Sequence, residues 1–286
     1  MNARTIFPPH RVTIVGALNV TPDSFSDGGR FVSEGERVNV DAAVEAAASL
    51  VGGGAHVIDV GGESTRPGAL AVAVRCEIER TRDVVAAIAK HIDVPISIDT
   101  RKAEVAEAAL EAGAHIVNDV SGLAFDPRLA EVAARSDAVL VLGHARGTPE
   151  AMQRDPHYDD VVREVGDALV ASVGRAREAG VPEEQLAVDP GLGFGKRLED
   201  NLALLGRLGE LRDRLGLPLW VGPSRKSFLG AVTGEPVGRR DEATFAACAV
   251  AAFAGADALR VHEAAGAARA AAVGRAARDA RSGAGT

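Results

Sequence analysis

Cysteine is almost absent from the chain. Cys76 and Cys248 are the 2 cysteines, too few for a disulfide framework and without the spacing of metal-ligand pairs. An excess of positive charge is missing too: 32 Lys and Arg against 40 Asp and Glu leave a formal charge of -8 at pH 7. A nucleic-acid binder needs a broad surplus of cations to neutralise phosphates, so that class is set aside. An anionic small molecule stays possible, provided its site gathers cations locally. No hydrophobic run reaches the roughly 20 residues that span a bilayer; the most apolar stretch, Ala243–Ala256, is shorter and rich in alanine. The amino-terminal MNARTIFPPH lacks the apolar core of a signal peptide. There is no linker, no repeat of fixed period and no low-complexity segment. These absences lead to the expectation of a soluble cytoplasmic protein with neither nucleic-acid nor membrane partners. It should form one domain over residues 1–286, ordered from about 11 to 280 and frayed beyond Ala280.

What is present is ordinary in composition and regular in order. Apolar residues make up 47% and charged ones 25%, which fits a globular chain and excludes a disordered one. Short apolar runs alternate with longer, amphipathic, alanine-rich ones. The runs are Thr13–Val20, His56–Val60, Pro95–Asp99, His115–Val120, Ala138–Gly143, Gln185–Asp189, Pro218–Val221 and Ala258–Val261. Helices are expected near Asp41–Gly52, Val74–His91, Lys102–Ala112, Asp126–Arg135, Tyr158–Ala179, Glu199–Leu215 and Asp241–Gly255, and from about Glu263 onward. The runs lack clean polar alternation, as strands of a parallel sheet covered on both faces do. A doubly wound open sheet uses the same alternation of strand and helix. Eight units, with polar clusters after nearly every strand, favour a single (β/α)8 TIM barrel. Its active site then lies at the carboxyl ends of the strands.

Each expected strand delivers a polar residue near its end: Asn19, Asp59, Asp99, Asn118, His144, Asp189, Ser224 and Arg260. Carboxylates and amides dominate, which argues for side chains converging on one pocket. Two carboxylates aimed into a barrel mouth need partners, because unpaired buried charge is costly. Asp99 and Asp189 could bind a metal, act as acid and base, or hold an amino heterocycle through its N–H groups. No His or Glu accompanies them in ligand spacing, which weakens the metal reading. Asn118 can both donate and accept, which suits the heterocycle.

The loops carry further signals. Asn19–Gly29 holds small hydroxyls and paired glycines, so it can wrap a ligand. Gly61–Gly68 offers Ser64, Thr65 and Arg66 to an oxyanion. Gly222–Ser227 adds two cations, and Arg260 and His262 fall on one strand face. Arg66, Lys226, Arg260 and His262 together would form a positive rim suited to phosphate or pyrophosphate. Gly191–Lys196 is not a P-loop, since Arg197 stands where Ser or Thr is needed; it reads as a turn bringing Phe194 over the pocket. His10, His56, His91, His115 and His157 look structural. His144 divides evenly between pocket wall and core.

The segments NVTPDSFSDGG (Asn19–Gly29), DVGGESTRPG (Asp59–Gly68), ISIDT (Ile96–Thr100), Asn118–Asp119, DPGLGFGK (Asp189–Lys196), SRKS (Ser224–Ser227) and RVH (Arg260–His262) occur in that order. In these the chain closely resembles the dihydropteroate synthases, pterin-binding barrel enzymes of folate biosynthesis. The resemblance implies condensation of 6-hydroxymethyl-7,8-dihydropterin pyrophosphate with para-aminobenzoate, with Mg²⁺ on the pyrophosphate. It assigns Asp99, Asn118, Asp189 and Lys226 to the pterin. Asn19, Arg66, Arg260 and His262 go to Mg²⁺-pyrophosphate, with Asn19 on the metal. Phe25, Thr65, Pro67, Phe194 and Ser227 would shape the para-aminobenzoate site. The first two loops would close over the reacting centre and exclude water. A homodimer and a sulfonamide drug target also follow from the resemblance. The family often carries Met beside the strand-five histidine, and Gly143 and Ala145 stand there instead, which would leave the pterin floor less filled. A corrinoid-linked, pterin-binding methyltransferase shares the barrel but should lack the STRPG and SRKS loops. An inactive paralogue should have lost Asp23, Ser24 or Arg66, and all are intact.

Overall fold

The short apolar runs do become strands, each paired in parallel with its neighbours. The computed structural model describes residues 2–21, 38–64, 68–148 and 151–281. The strands are β1 (Thr13–Asn19), β2 (Val57–Gly61), β3 (Ile96–Asp99), β4 (Ile116–Asp119), β5 (Val139–Gly143), β6 (Leu186–Asp189), β7 (Trp220–Val221) and β8 (Ala258–Val261). The helices are α1 (Ala3–Ile6), α2 (Val40–Gly52), α3 (Val74–His91), α4 (Ala103–Glu111), α5 (Arg128–Arg135), α6 (Val161–Glu178), α7 (Leu198–Gly206), α8 (Leu208–Leu215), α9 (Ser227–Thr233), α10 (Asp241–Ala254) and α11 (Ala264–Arg281). Strand order is β6-β5-β4-β3-β2-β1-β8-β7. Val188 bridges Leu219, and Val188 N–H donates to Pro218 O at 3.0 Å, so the two outer strands meet and the sheet closes. That closure excludes the doubly wound alternative. β7 is shorter than the run Pro218–Val221 because proline has no N–H to give the ladder.

Strand alternation sorts the core into two layers. Outward positions such as Ile14, Ile58, Ile98, Leu140 and Val188 pack with helix residues such as Val84, Ile88, Val105 and Leu169. Inward positions low in the barrel, Val15, Val57, Ile116, Val139, Val141, Ala187, Trp220 and Ala258, form a second cluster with Ala3, Ile6 and Phe7. Phe7 meets Trp220 edge-on with ring centroids 5.7 Å apart. Order therefore begins before residue 11: α1 and Phe7 close the amino-terminal end of the barrel. The sequence hid this because four helical residues show no periodicity.

Two other departures have local causes. The single helix expected over Glu199–Leu215 is two, α7 and α8, separated at Arg207, whose backbone leaves the helical region (φ -116, ψ 24). Gly206 weakens the helix there by about 1 kcal/mol relative to alanine. The loop before α10 contains α9, anchored by the buried Phe228 and Leu229.

The upper ends of β2 and β3 are tied together by buried ions. Lys102 Nζ donates to Glu77 Oε2 at 2.5 Å and to Val72 O at 2.6 Å, and lies 3.2 Å from Glu63 Oε1. Glu63 also accepts Val72 N–H at 2.8 Å and Arg101 Nε at 3.2 Å. Thr100 donates to Glu77 Oε1 at 2.7 Å. Glu63 and Val72 flank the β2–α3 connection, so one lysine holds both of its feet beside Asp99. Removing one partner leaves Glu77, which is fully buried, without its cation. Lys102→Met should therefore cost about 3–5 kcal/mol. Urea denaturation will check this, and a loss of under about 1 kcal/mol would mean the network adds nothing.

Candidate active site

The alternation that aims Val57 into the barrel floor aims Asp59 inward roughly 7 Å higher. Ser97 and Asp99 on β3, Asn118 on β4, Asp189 on β6 and Arg260 on β8 follow the same rule. Cα register sets Asp59 opposite Ser97, Asp99 opposite Asn118, and Gly143 opposite Asp189. Asp59 and Asn118 are buried outright, and Asp99 and Asp189 nearly so, each 7% exposed.

Arg260 organises these groups. Its Nη2 donates to Asp99 Oδ2 at 2.8 Å and its Nε to Asp59 Oδ2 at 2.5 Å. Asn118 Nδ2 donates to the same Asp59 oxygen at 3.3 Å. Three oxygens are left over: Asp59 Oδ1, Asp99 Oδ1 and Asn118 Oδ1 are buried without a hydrogen-bond partner among the described residues. Burial pushes the Asp99 carboxyl up to about 7, against the pull of Arg260. Burial raises Asp189 as well, opposed by the Gly191 N–H that donates to its Oδ1 at 2.7 Å. Burial also works against the Arg260 charge, but Asp59 and Asp99 outweigh it and raise its pKa.

On the β8 side, Ser224 Oγ lies 2.8 Å from His262 Nδ1 and accepts the His262 N–H at 3.3 Å. Asn19 Nδ2 lies 3.4 Å from His262 Nε2. Of the two cations in SRKS, Arg225 turns outward to grip Asp241 with two bonds, at 2.8 and 3.0 Å. Lys226 is the one on the pocket side, its Nζ 3.8 Å from the Phe194 ring centre. Ser227 is exposed at the first position of α9. Asn19, Asp99, Asn118, Asp189, Lys226, Arg260, His262, Phe194 and Ser227 thus all lie at the carboxyl ends of the strands. Phe25, Thr65, Arg66 and Pro67 lie outside the described residues, as does most of the first loop.

The β6–α7 turn is built by close approach. A Cβ on Gly191 (φ +67) would sit 1.9 Å from His144 O, and one on Gly193 (φ +82) would sit 2.9 Å from Lys226 Cδ. The turn wraps Lys196, a buried residue the sequence reading did not single out. Its Nζ donates to Gly191 O (2.8 Å), Phe194 O (3.0 Å) and His144 O (3.2 Å), and lies 3.0 Å from His144 Nδ1. His144 is therefore part of the turn's support. Asp59, a strand-end acid to which the resemblance assigns no role, is the second carboxylate on Arg260. The signal was its inward register between Val57 and Gly61.

The slack expected at Gly143 is not there. A Cβ at Gly143 would lie 2.7–2.8 Å from the Val120 backbone, so the end of β4 already fills the space a larger side chain takes. His56 and His115 are structural, each accepting a backbone N–H through Nδ1, from Ile14 at 3.0 Å and Ile96 at 3.3 Å.

The chain matches the family model described as pterin binding enzyme over residues 15–262. It is 48% identical over 254 residues to the dihydropteroate synthase of a Synechocystis species, covering 88% of this chain and 86% of that one. Among solved structures, the Yersinia pestis dihydropteroate synthase in a sulfonamide drug complex superimposes with a TM-score of 0.89 at 40% identity, over 94% of this chain and 95% of that one. The Xanthomonas albilineans dihydropteroate synthase with 4-aminobenzoic acid gives 0.84 at 42% identity, over 93% of each chain.

Burial, together with the nearby Lys196 charge, drives the His144 pKa from 6.5 down to about 3. A base depressed on folding adds stability that is complete above its unfolded pKa and is lost as pH falls towards the folded value. Between about pH 6 and 4 the native chain should lose roughly 1.4 kcal/mol more per pH unit than His144→Asn, whose amide oxygen can still accept from Lys196. Denaturation midpoints at both pH values will show this, and equal slopes would mean that His144 protonates freely.

Proposed function

The chain belongs to the dihydropteroate synthases, a family of pterin-binding enzymes, and from that premise we propose how its barrel mouth works. It is a transferase. It joins 6-hydroxymethyl-7,8-dihydropterin pyrophosphate to para-aminobenzoate, forming 7,8-dihydropteroate and releasing pyrophosphate.

One observation carries the assignment of the pterin pocket: Asp59, Asp99 and Asn118 each hold a buried oxygen that lacks a donor among the described residues. Such oxygens are costly to keep dry unless a ligand supplies hydrogens. A pterin edge presents amino and ring N–H groups in one plane, the complement of the Asp99 and Asn118 oxygens with Asp189 beside them. Asp99, Asn118 and Asp189 accept from the ring, and Lys226 donates to its acceptors. Displacement at the pterin methylene develops positive charge on the ring and negative charge on the leaving group. Asp99 and Asp189 stabilise the first; Arg260 and His262 stabilise the second. Arg66 joins them by position in the sequence. A neutral aromatic amine attacks without a strong base, so no Ser-His-Asp arrangement is required. Phe194 and Ser227 bound the para-aminobenzoate site, with Phe25, Thr65 and Pro67 added from the sequence.

Magnesium enters this reading as an ion carried on the pyrophosphate. No cluster of three or more His, Cys, Asp or Glu suited to a metal occurs among the described residues. A hard cation takes oxygen ligands, here mainly those of the phosphates with one from the protein. With Nδ2 turned to His262, Asn19 has Oδ1 to offer. When bound, the ion would neutralise leaving-group charge. Leu202, Val232 and Val250 are exposed on neighbouring helices, which suits the homodimer implied by the resemblance. No helix among the described residues is long and apolar enough to cross a membrane, in keeping with a cytoplasmic enzyme.

The test is pyrophosphate release from the pterin substrate with and without para-aminobenzoate. Release should depend on the amine and be abolished or much reduced in Asp189→Asn. That exchange places an amide N–H where the ring's N–H must bind, at a cost of at least about 1.5–3 kcal/mol in pterin affinity. Amine-independent release, or unchanged affinity in a folded variant, would contradict the reading.

A further inference from the structure

Lys196 is a buried cation, 3% exposed, whose four hydrogen-bonding partners are neutral: three carbonyl oxygens and the Nδ1 of His144. Burying an ammonium without a counter-ion in contact is expensive, and an apolar side chain would fill the volume at less cost. The return on that expense is the shape of the turn. An ammonium has three hydrogens to share, and here they gather carbonyls from two separate connections, β5–α6 and β6–α7.

The consequences reach the pocket by two short paths. Lys196 holds Gly191 through its carbonyl at 2.8 Å, and Gly191 N–H holds Asp189 Oδ1 at 2.7 Å. That fixes one carboxylate oxygen and leaves the other for a ligand. Lys196 also holds the Phe194 carbonyl at 3.0 Å, and the Phe194 ring carries the Lys226 ammonium on its face at 3.8 Å. Gly193, between them, is close enough that a Cβ would strike Lys226 Cδ at 2.9 Å. The outside of the turn is anchored separately. Gly193 N–H donates to Asn201 Oδ1 at 2.6 Å, and Gln153 Nε2 donates to Gly193 O at 2.9 Å.

We propose that Lys196 is a positioning residue for pterin binding, a turn-organising cation that sets Asp189 and Lys226 at the spacing the ring requires without touching the ring. This deepens the functional reading above and rests on it. The imidazole must present a bare Nδ1 to the ammonium, in accord with the strong depression of the His144 pKa.

The experiment compares native chain, Lys196→Met and Lys196→Gln. Methionine keeps the length and loses every donor, while glutamine keeps two N–H groups. Calorimetric titration with 6-hydroxymethylpterin should show Kd raised at least about tenfold in the methionine variant, with partial recovery in the glutamine variant. The KM for the pterin substrate should rise along with the Kd while kcat at saturating substrate changes far less, a split that general loosening of the fold would not produce. Circular dichroism and denaturant midpoints establish that the variants are folded. A native-like pterin Kd in folded Lys196→Met overturns the proposal. So does loss of the fold in both variants, because Lys196 would then serve the whole barrel. Failure of the native chain to bind the pterin refutes the functional reading instead, before any variant is made.

Discussion

Everything at the barrel mouth depends on Arg260 and the carboxylates it keeps out of water. Asp59, Asp99 and Asp189 are almost completely buried, and an isolated buried carboxylate would take up a proton instead of remaining charged. Arg260 bonds to Asp59 and Asp99 together, so a single guanidinium lets two acids share a small dry volume. Two of its five N–H groups make these bonds. One oxygen each of Asp59, Asp99 and Asn118 lacks a donor among the described residues, and an incoming molecule rich in N–H groups would supply it. A ligand that brings those hydrogens meets groups already held in place, which is how preorganisation favours binding.

The scaffold makes this affordable by separating its two ends. The amino-terminal end is sealed by apolar contacts, with Phe7 against Trp220 at its centre. Cohesion is therefore supplied far from the polar groups, and the upper inward positions are free to carry charge. Two buried lysines then do different work around the mouth. Lys102 faces carboxylates and ties the feet of the β2–α3 connection. Lys196 faces carbonyls and shapes the β6–α7 turn. Burial pulls the Lys196 ammonium down to about 7.

Much of this was legible in the sequence, for a definite reason. Parallel strands buried on both faces are apolar runs, so a lone Asp, Asn or Arg at the end of such a run is conspicuous. Asp99, Asn118, Asp189 and Arg260 stood out that way, and strand periodicity correctly put Arg260 and His262 on one face. What escaped notice depended on contacts between segments distant in the chain. Nothing local says that Arg260 pairs with Asp59, 201 residues away, or that Lys196 reaches back to His144, 52 residues away. Gly143 misled for the same reason: its missing side chain looked like a gap, although the Val120 backbone occupies it. The break between α7 and α8 and the short α1 fell below what periodicity detects.

The central claim is that the unpaired oxygens at the barrel mouth are held for the N–H edge of a pterin. A crystal structure of the chain with 6-hydroxymethylpterin bound tests it most directly. The account predicts the ring lying across the mouth, with its N–H groups within about 3.2 Å of Asp189 and of the free oxygens of Asp99 and Asn118. A ring bound elsewhere, with those oxygens still lacking donors, would contradict it.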